Sequence, residues 1–386
     1  MSQSVSDDSE LEYRLMRVTL LPGIGTNGLD AGRFTARYSL NLLAGYHGAL
    51  DGFEIGPVNV NRFYSRGAQL GGLNLTGGDM SGIHLSALAN AAHGDMSGVQ
   101  ISTLVNYSTS NLNGIQFAGF ANVANHTQGL QVSGFGNFSR MGSSGLKIAS
   151  FGNFSASEST GFQLSGFLNV SDVLRGITIS GFMNSANQLQ GVQIAGIANA
   201  SMQAEGIQIA PINVARNFSG VPIGLLSLYG NGRYNIDTWF SDGGFTQIGF
   251  KTGTQTYYNI FSFGYNPTIS ERDVWSLGWT FGSFRKLDEW WDSQRFQNYF
   301  RMSDFSIYQM HEGEIEFEQN RIFSYRFMLG RFLARGLGIY AGPSANLQVT
   351  TEESASDYSW YSLLDITRSG RTWRFWVGFS AGFQFF

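Results

Sequence analysis

A nine-residue phrase recurs along the middle of this chain, and its spacing leaves little freedom in what the chain can fold into. Gly114-Ile-Gln-Phe-Ala-Gly-Phe-Ala-Asn122 is followed by Gly129-Leu-Gln-Val-Ser-Gly-Phe-Gly-Asn137, then by Gly161-Phe-Gln-Leu-Ser-Gly-Phe-Leu-Asn169 and Gly191-Val-Gln-Ile-Ala-Gly-Ile-Ala-Asn199. The leading glycines fall at Gly52, Gly67, Gly82, Gly98, Gly114, Gly129, Gly145, Gly161, Gly176, Gly191 and Gly206, 15 or 16 residues apart throughout. A fixed period is the mark of a repeat architecture. Within a unit Ile115 and Phe117 flank Gln116, the alternation of a short strand. A pair such as Ser133-Gly134 then turns the chain into a second short strand. No unit shows helical spacing or has room for a crossover helix. Two or three tiny strands per repeat describe one coil of a β-solenoid. Coils ~4.8 Å apart would make a rod of roughly 50 Å.

Stacking sets like residues over like. We expect Phe120, Phe135, Phe151, Phe167 and Phe182 to form one internal ladder. Asn90, Asn106, Asn122, Asn137, Asn153, Asn169, Asn184 and Asn199 should form another, bonding amide to amide. One coil buries too few apolar side chains to offset the entropy of ordering it, so neighbours must supply the rest. The units led by Gly52, Gly67 and Gly206 carry their asparagine one residue early, at Asn59, Asn74 and Asn213, with Pro57 and Pro211 in equivalent places. Proline suits a sheet edge, so these read as capping coils. Gln100, Gln116, Gln131, Lys147, Gln163, Thr178, Gln193 and Gln208 recur once per coil as an outward stripe. A polar stripe keeps a rod soluble. It is also a candidate binding surface for a glycan or partner protein, since glutamine both donates and accepts.

The flanks differ from the rod. Residues 1–10 read as a disordered lead. Leu11–Leu21 is a strand closed by Pro22-Gly23, and Phe34–Tyr46 alternates cleanly. After Gly220 the period disappears and longer strands begin, eight of them from 233 to the end. The last puts Trp373, Phe375, Val377, Phe379, Ala381, Phe383 and Phe385 on one face and Arg374, Trp376, Gly378, Ser380, Gly382 and Gln384 on the other. Charged residues are only 13% of the chain against 15% aromatics, with 50 glycines. A soluble domain carries about 25% charge. No run of 18 apolar residues suggests a spanning helix. Low charge with hydrophobicity hidden in alternation suits a transmembrane β-barrel. The expected fold is all-β: an antiparallel barrel of about 8–10 strands with the solenoid inserted. Residues 11–50 would supply its first strands, 51–220 the solenoid and 221–386 the remainder. A soluble β-sandwich is the alternative to the barrel, because it alternates too. The repeats themselves are too short to be spanning hairpins, which need ~9–11 residues per strand.

The residues that carry a resemblance are Val18-Thr-Leu-Leu-Pro-Gly-Ile-Gly-Thr-Asn-Gly28, Ser39-Leu-Asn-Leu-Leu-Ala-Gly-Tyr46 and Asp51-Gly-Phe-Glu-Ile-Gly56 leading into the repeats. Phe250-Lys-Thr-Gly-Thr254, Tyr258-Asn-Ile260 and Tyr340-Ala-Gly-Pro343 follow later. Together they resemble the bacterial surface repeat-containing proteins common among Bacteroidetes, across nearly the whole chain. The aromatic final strand resembles the C-terminal signal of bacterial outer-membrane proteins. The resemblance implies an outer-membrane or cell-surface location and no assigned activity. The polar start, Met1 to Asp8, is not a secretory signal, so export implies a mature chain from which one has been removed.

Chemistry-bearing patterns are absent or weak. There are no cysteines, which excludes disulfides, thiol nucleophiles and thiolate metal sites. The net charge of −4 gives no nucleic-acid signal. The five histidines, His47, His84, His93, His126 and His311, lack metal-ligand spacing. His84 occupies the outward glutamine position and reads as a solvated surface residue. Gly23-Ile-Gly25-Thr-Asn-Gly28 matches a dinucleotide fingerprint, but no helix pattern follows it, so it reads as a strand turn. Glu312, Glu314, Glu316 and Glu318 alternate as a solvated edge or loop. No catalytic residue, cofactor or metal is expected. The functional expectation is a non-enzymatic surface protein, structural or binding along its rod, with membrane lipid as a partner. Its competitor is a small pore with the solenoid as plug or vestibule. Lys286–Asn298 and Glu352–Asp357 are the loop candidates for contact.

Overall fold

The computed structural model describes residues 11–269, 273–288, 296–313, 320–351 and 358–386, and the polar lead 1–10 lies outside them. The chain is all-β and divides into two compact units, Met1–Gly196 and Ile197–Phe386.

The first unit holds β1 (Glu12–Leu21), β2 (Ile24–Gly25), β3 (Phe34–Asn41), β4 (Ala44–Thr76), β5 (Met80–Ala92), β6 (Met96–Ser102), β7 (Val105–Ser108), β8 (Asn111–Ala118), β9 (Ala121–Ser133), β10 (Gly136–Ala149), β11 (Gly152–Ser165), β12 (Leu168–Ser180) and β13 (Met183–Ala195). Apart from the antiparallel β1–β2 pair, their pairing is parallel and follows the repeat: Gly129 lies on Gly114, Gln131 on Gln116 and Asn137 on Asn122. This is the expected solenoid. The leading glycine is required at each coil for two reasons visible at Gly129. Its φ is +129°, and a Cβ there would sit 2.1 Å from the carbonyl oxygen of Gly114.

Two expectations fail here. β1 pairs parallel with β3, and β3 parallel with β4. Residues 11–50 therefore extend the solenoid; they do not open a barrel, and the solenoid is not an insertion. Alternation tells a strand which of its residues share a face, but not which sheet it will join. The coil led by Gly52 is consequently no cap, since β3 and β1 stack beyond it. Gly25 pairs back on β1 as a tight hairpin, and a six-residue 3-10 turn, Gly28–Arg33, follows. The glycine fingerprint is thus a strand turn, as expected.

The second unit begins with coils of the same kind, β14 (Ala198–Ile209), β15 (Ile212–Ile223) and β16 (Leu226–Tyr229), paired in parallel. The coil led by Gly206 is followed by one led by Gly220, so it is not terminal either. Then come β17 (Arg233–Ser241), β18 (Thr246–Gly253), β19 (Tyr257–Tyr265), β20 (Val274–Lys286), β21 (Tyr299–Glu312), β22 (Arg321–Ala334), β23 (Leu337–Thr350), β24 (Leu364–Arg368) and β25 (Arg371–Phe385). Neighbours pair antiparallel in one continuous sheet, and β25 returns to β17 with Phe385 opposite Ile236 and Ser380 opposite Ser241. Eight strands close on themselves, while β24 is a hairpin flap on the first residues of β25. Continuity around the ring is what a two-layer sandwich lacks.

The last coil docks on the outward side of this closed sheet. Asn259 of β19 donates to the carbonyl of Pro222 at 3.0 Å and to Ser227 Oγ at 3.1 Å. Ser227 N donates to Thr252 Oγ1, and Trp279 Nε1 to the carbonyl of Gly224 at 2.7 Å.

Candidate interaction surfaces and the polar lumen

The solenoid is polar inside and apolar outside on two of its three sides. In the Gly114 coil, Gln116, Ala118, Asn122, Ala124 and Thr127 are buried. Ile115, Phe117, Phe120 and Val123 face out, with Phe120 51% exposed. The expected phenylalanine ladder exists but on the outside. Phe120, Phe135, Phe151, Phe167 and Phe182 stack with centroids 4.6–5.2 Å apart, and all are exposed. The expected glutamine stripe is likewise inverted. Gln100, Gln116, Gln131, Lys147, Gln163, Thr178, Gln193 and Gln208 are all buried in the lumen. The physical reason is the small bore of a 15-residue coil. It admits side chains that bond to the coil above, whereas a core of phenylalanines needs more room. Period-two alternation is silent about which face is inside.

The asparagine ladder is internal as expected. Asn122 Nδ2 donates to Asn137 Oδ1 at 2.9 Å and to the carbonyl of Val132 at 2.8 Å, and Asn137 repeats this with Asn153 and Ile148. Asn90, Asn106, Asn169, Asn184 and Asn199 are buried in the same column. Each amide both donates upward and bonds a backbone carbonyl, so the ladder satisfies itself without water.

The glutamines form a second lumen column: Gln131 Nε2 to Gln116 Oε1 at 2.8 Å, and Gln116 Nε2 to Gln100 Oε1 at 2.7 Å. Lys147 interrupts it. Its ammonium nitrogen bonds Ser139 Oγ at 2.7 Å and Ser155 Oγ at 2.9 Å. Burial drives its pKa down to about 7. His84, expected at the surface, is fully buried; its Nδ1 lies 2.8 Å from Gln69 Oε1. Burial pushes it down to about 4.

At the N-terminal end the lumen holds a charged cluster that sequence reading missed. Arg17 contacts Glu54 at 3.2 Å and Ser39, and Glu54 also accepts from Asn41, Asn61 and Gln69. His47 Nε2 lies 2.9 Å from Asn41 Oδ1. Burial lowers Arg17 to about 10, against the pull of Glu54. Burial works to raise Glu54, but Arg17 and its amide donors hold it below the ordinary value. Burial and Arg17 lower His47 to about 4. The available signal was a charge at an inward position, in phase with Ser39 and Asn41. The arrangement is closed to solvent and bonded internally except at the buried Nδ1 of His47, so it fits a plug at the end of a lumen.

The closed sheet has the same polarity, apolar outside and polar inside. Ile236, Phe250, Phe261, Phe263, Phe327, Phe379 and Phe383 point out and are exposed. Inside, Lys251 meets Asp237 at 2.5 Å, and Arg326 meets Asp304 through two bonds of 2.8 and 3.1 Å. Tyr258 donates to the same Asp304. Trp239, Tyr258, Phe300, Tyr308, Tyr340 and Trp376 fill the rest. A cavity of about 40 Å³ lined by Trp239, Gln247, Tyr308, Arg326 and Trp376 remains, enough for a water or two. An open groove of about 1190 Å³ on the outer wall runs past Phe240, Phe327, Ile339, Ala341 and Phe383.

Glu312 accepts from Tyr358 Oη at 2.6 Å, while Glu314, Glu316 and Glu318 lie outside the described residues. So does the Glu352–Asp357 loop, and most of Lys286–Asn298. Among the described residues no group of three or more His, Asp or Glu is placed to hold a metal ion, and no helix is long and apolar enough to cross a membrane. No protein-family model, curated protein or solved structure matches the chain.

Proposed function

We propose that this chain is a non-enzymatic, membrane-anchored repeat protein of a bacterial envelope, in which the closed sheet spans the outer membrane. One observation carries the reading: the outward faces of the closed sheet are apolar and exposed, while its inward faces hold buried ion pairs. That is the polarity of a protein whose solvent is hydrocarbon. Its strands run 8 to 15 residues, against the ~9–11 needed to cross. The β17–β25 pairing joins the two edges of the eight-stranded ring over Ile236–Ser241, and the edge that remains is that of the flap β24; a bilayer requires such closure. Both ends of the sheet, Arg233 and Phe385, lie at one rim, as the Ile236–Phe385 pairing dictates. The likeness of the repeats to surface repeat-containing proteins points to the same compartment.

The pore reading loses support because the interior is filled by aromatic and ion-paired side chains, as expected for an eight-stranded ring. The glutamine column is buried and so offers no surface to a glycan or partner protein. What remains for the solenoid is a structural role or contact through its outer surface. The test is extraction. The protein should partition with detergent and migrate faster on gels unheated than boiled. Monodisperse behaviour in buffer without detergent would overturn the proposal.

A further inference from the structure

The outside of the solenoid is not uniform. Three short strands make each coil, and their outer faces differ. Positions equivalent to Ile115, Phe117, Phe120 and Val123 recur as Leu146, Ile148, Phe151 and Phe154, and as Phe162, Leu164, Phe167 and Val170. The remaining strand presents Gln128, Arg140, Glu158, Asp172, Arg175 and Gln190 to solvent. The register shifts among the coils led by Gly114, Gly129, Gly145 and Gly161 fall on this polar side, at Ser139–Gly142 and Ser155–Glu158. The apolar flank keeps its register there.

We propose that this apolar flank, with the phenylalanine stack as its crest, is seated in the hydrocarbon of a lipid bilayer while the polar strand stays in water. The inference rests on the membrane reading above and extends it from the closed sheet to the repeat unit. Three observations select lipid as the occupant. The first is size. From the coil led by Gly98 to that led by Gly176, six coils at ~4.8 Å and two strands of roughly 13 Å each give about 700 Å². Soluble monomers rarely expose apolar patches beyond about 300–600 Å².

The second is shape. Gln116 and Asn122 lie on strands either side of the Gly119–Phe120 bend, and both point into the lumen. Their outer faces therefore diverge, and the flank is convex. Two copies of a convex ridge meet along a line, whereas a liquid conforms to it. A specific protein interface also brings interleaved polar groups and pockets, and the columns here repeat one apolar residue after another.

The third is backbone satisfaction. Hydrocarbon tolerates no orphan N–H, and bends usually leave some to water. Here the bends bond coil to coil. Gly134 N donates to the carbonyl of Ala118, Phe135 N and Gly136 N to that of Phe120, Phe151 N to that of Phe135, and Phe167 N to that of Phe151.

The chain has no cysteine, so single-site labelling is clean. Four full-length variants, Phe151→Cys, Ile179→Cys, Gln190→Cys and Phe263→Cys, would each carry an environment-sensitive fluorophore. They would be reconstituted in phosphatidylcholine–phosphatidylglycerol vesicles with nitroxide groups on the acyl chains. Quenching should be several-fold stronger at 151 and 179 than at 190. If 263 on the closed sheet is quenched while 151 and 179 match 190, the flank is not in lipid, although the sheet spans. If 151 and 179 are quenched and 263 is not, the flank stands and the spanning sheet falls. A rapid Phe151→Cys disulfide between copies in the same vesicles, with no quenching at 179, would assign the face to a second chain and overturn the proposal.

Discussion

Replacing Lys147 with glutamine will stabilise the solenoid, and the gain will shrink as pH rises. The lysine is buried, has no carboxylate beside it, and is held by two serine hydroxyls, so its pKa falls from 10.5 to about 7. The unfolded chain keeps the ordinary value. Between those two values the unfolded state binds a proton that the folded state does not, so stability rises with pH across that window. Below about pH 7 the whole cost is present, of the order of 5 kcal/mol at ~1.36 kcal/mol per unit. By about pH 9 roughly 2 kcal/mol of it remains. A second gain is independent of pH. Gln131 Oε1 is buried with no partner, and a glutamine at 147 can donate to it as Gln131 donates to Gln116. An unmet buried acceptor costs about 1–3 kcal/mol. The serines released keep neighbours, since Ser139 bonds Thr127, and Ser155 bonds Ser143 and Ser159. Amide hydrogen exchange of the peptides between Gly129 and Gly176, read as free energies of opening, measures the effect in the full chain. Protection should rise in Lys147→Gln, more at about pH 7 than at about pH 9. Equal gains at the two pH values, or lower protection in the variant, would refute the account of the buried amine.

Four further outcomes follow from named contacts. Gly129→Ala puts a methyl 2.1 Å from the Gly114 carbonyl at φ +129°, so it should cost more than about 3 kcal/mol and abolish the strand signal of the coils by circular dichroism. Asn137→Ala removes a donor to Asn153 and Ile148 and an acceptor for Asn122, for roughly 2–3 kcal/mol, seen as faster exchange in the three coils concerned. Burial holds His47 and His84 at about 4, so the unfolded chain takes up protons first. Stability should be intact above about pH 6.5 and fall as pH drops towards 4, with His84→Gln flattening part of that slope in denaturant titrations. Arg326→Leu leaves Asp304 uncompensated inside the closed sheet, at about 3–5 kcal/mol, and should lower the temperature at which gel migration becomes that of the unfolded chain. Adding Asp304→Leu should restore part of it.

The sequence by itself determined the repeat, its length and its register. Glycine at each coil start is dictated by a positive φ beneath a carbonyl, and asparagine once per coil by an amide that bonds both the asparagine of the next coil and a backbone carbonyl. Such demands are local and repeat identically, so they are readable from spacing. The eight strands after residue 233 were legible for the same reason, because alternation is a property of a single strand. What only the tertiary structure decided is which face is inside. Gln116 and Phe117 alternate equally well either way, and the lumen chose Gln116 because its narrow bore admits stacked amides. Tertiary structure also decided that Phe34–Asn41 joins the coils, since strand pairing is set by the partner edge. It placed Arg17 with Glu54 and Asp304 with Arg326 as well, because strand register does so: Arg17 and Glu54 both lie against Ser39 in neighbouring coils, and Asp304 sits opposite Arg326 across β21 and β22.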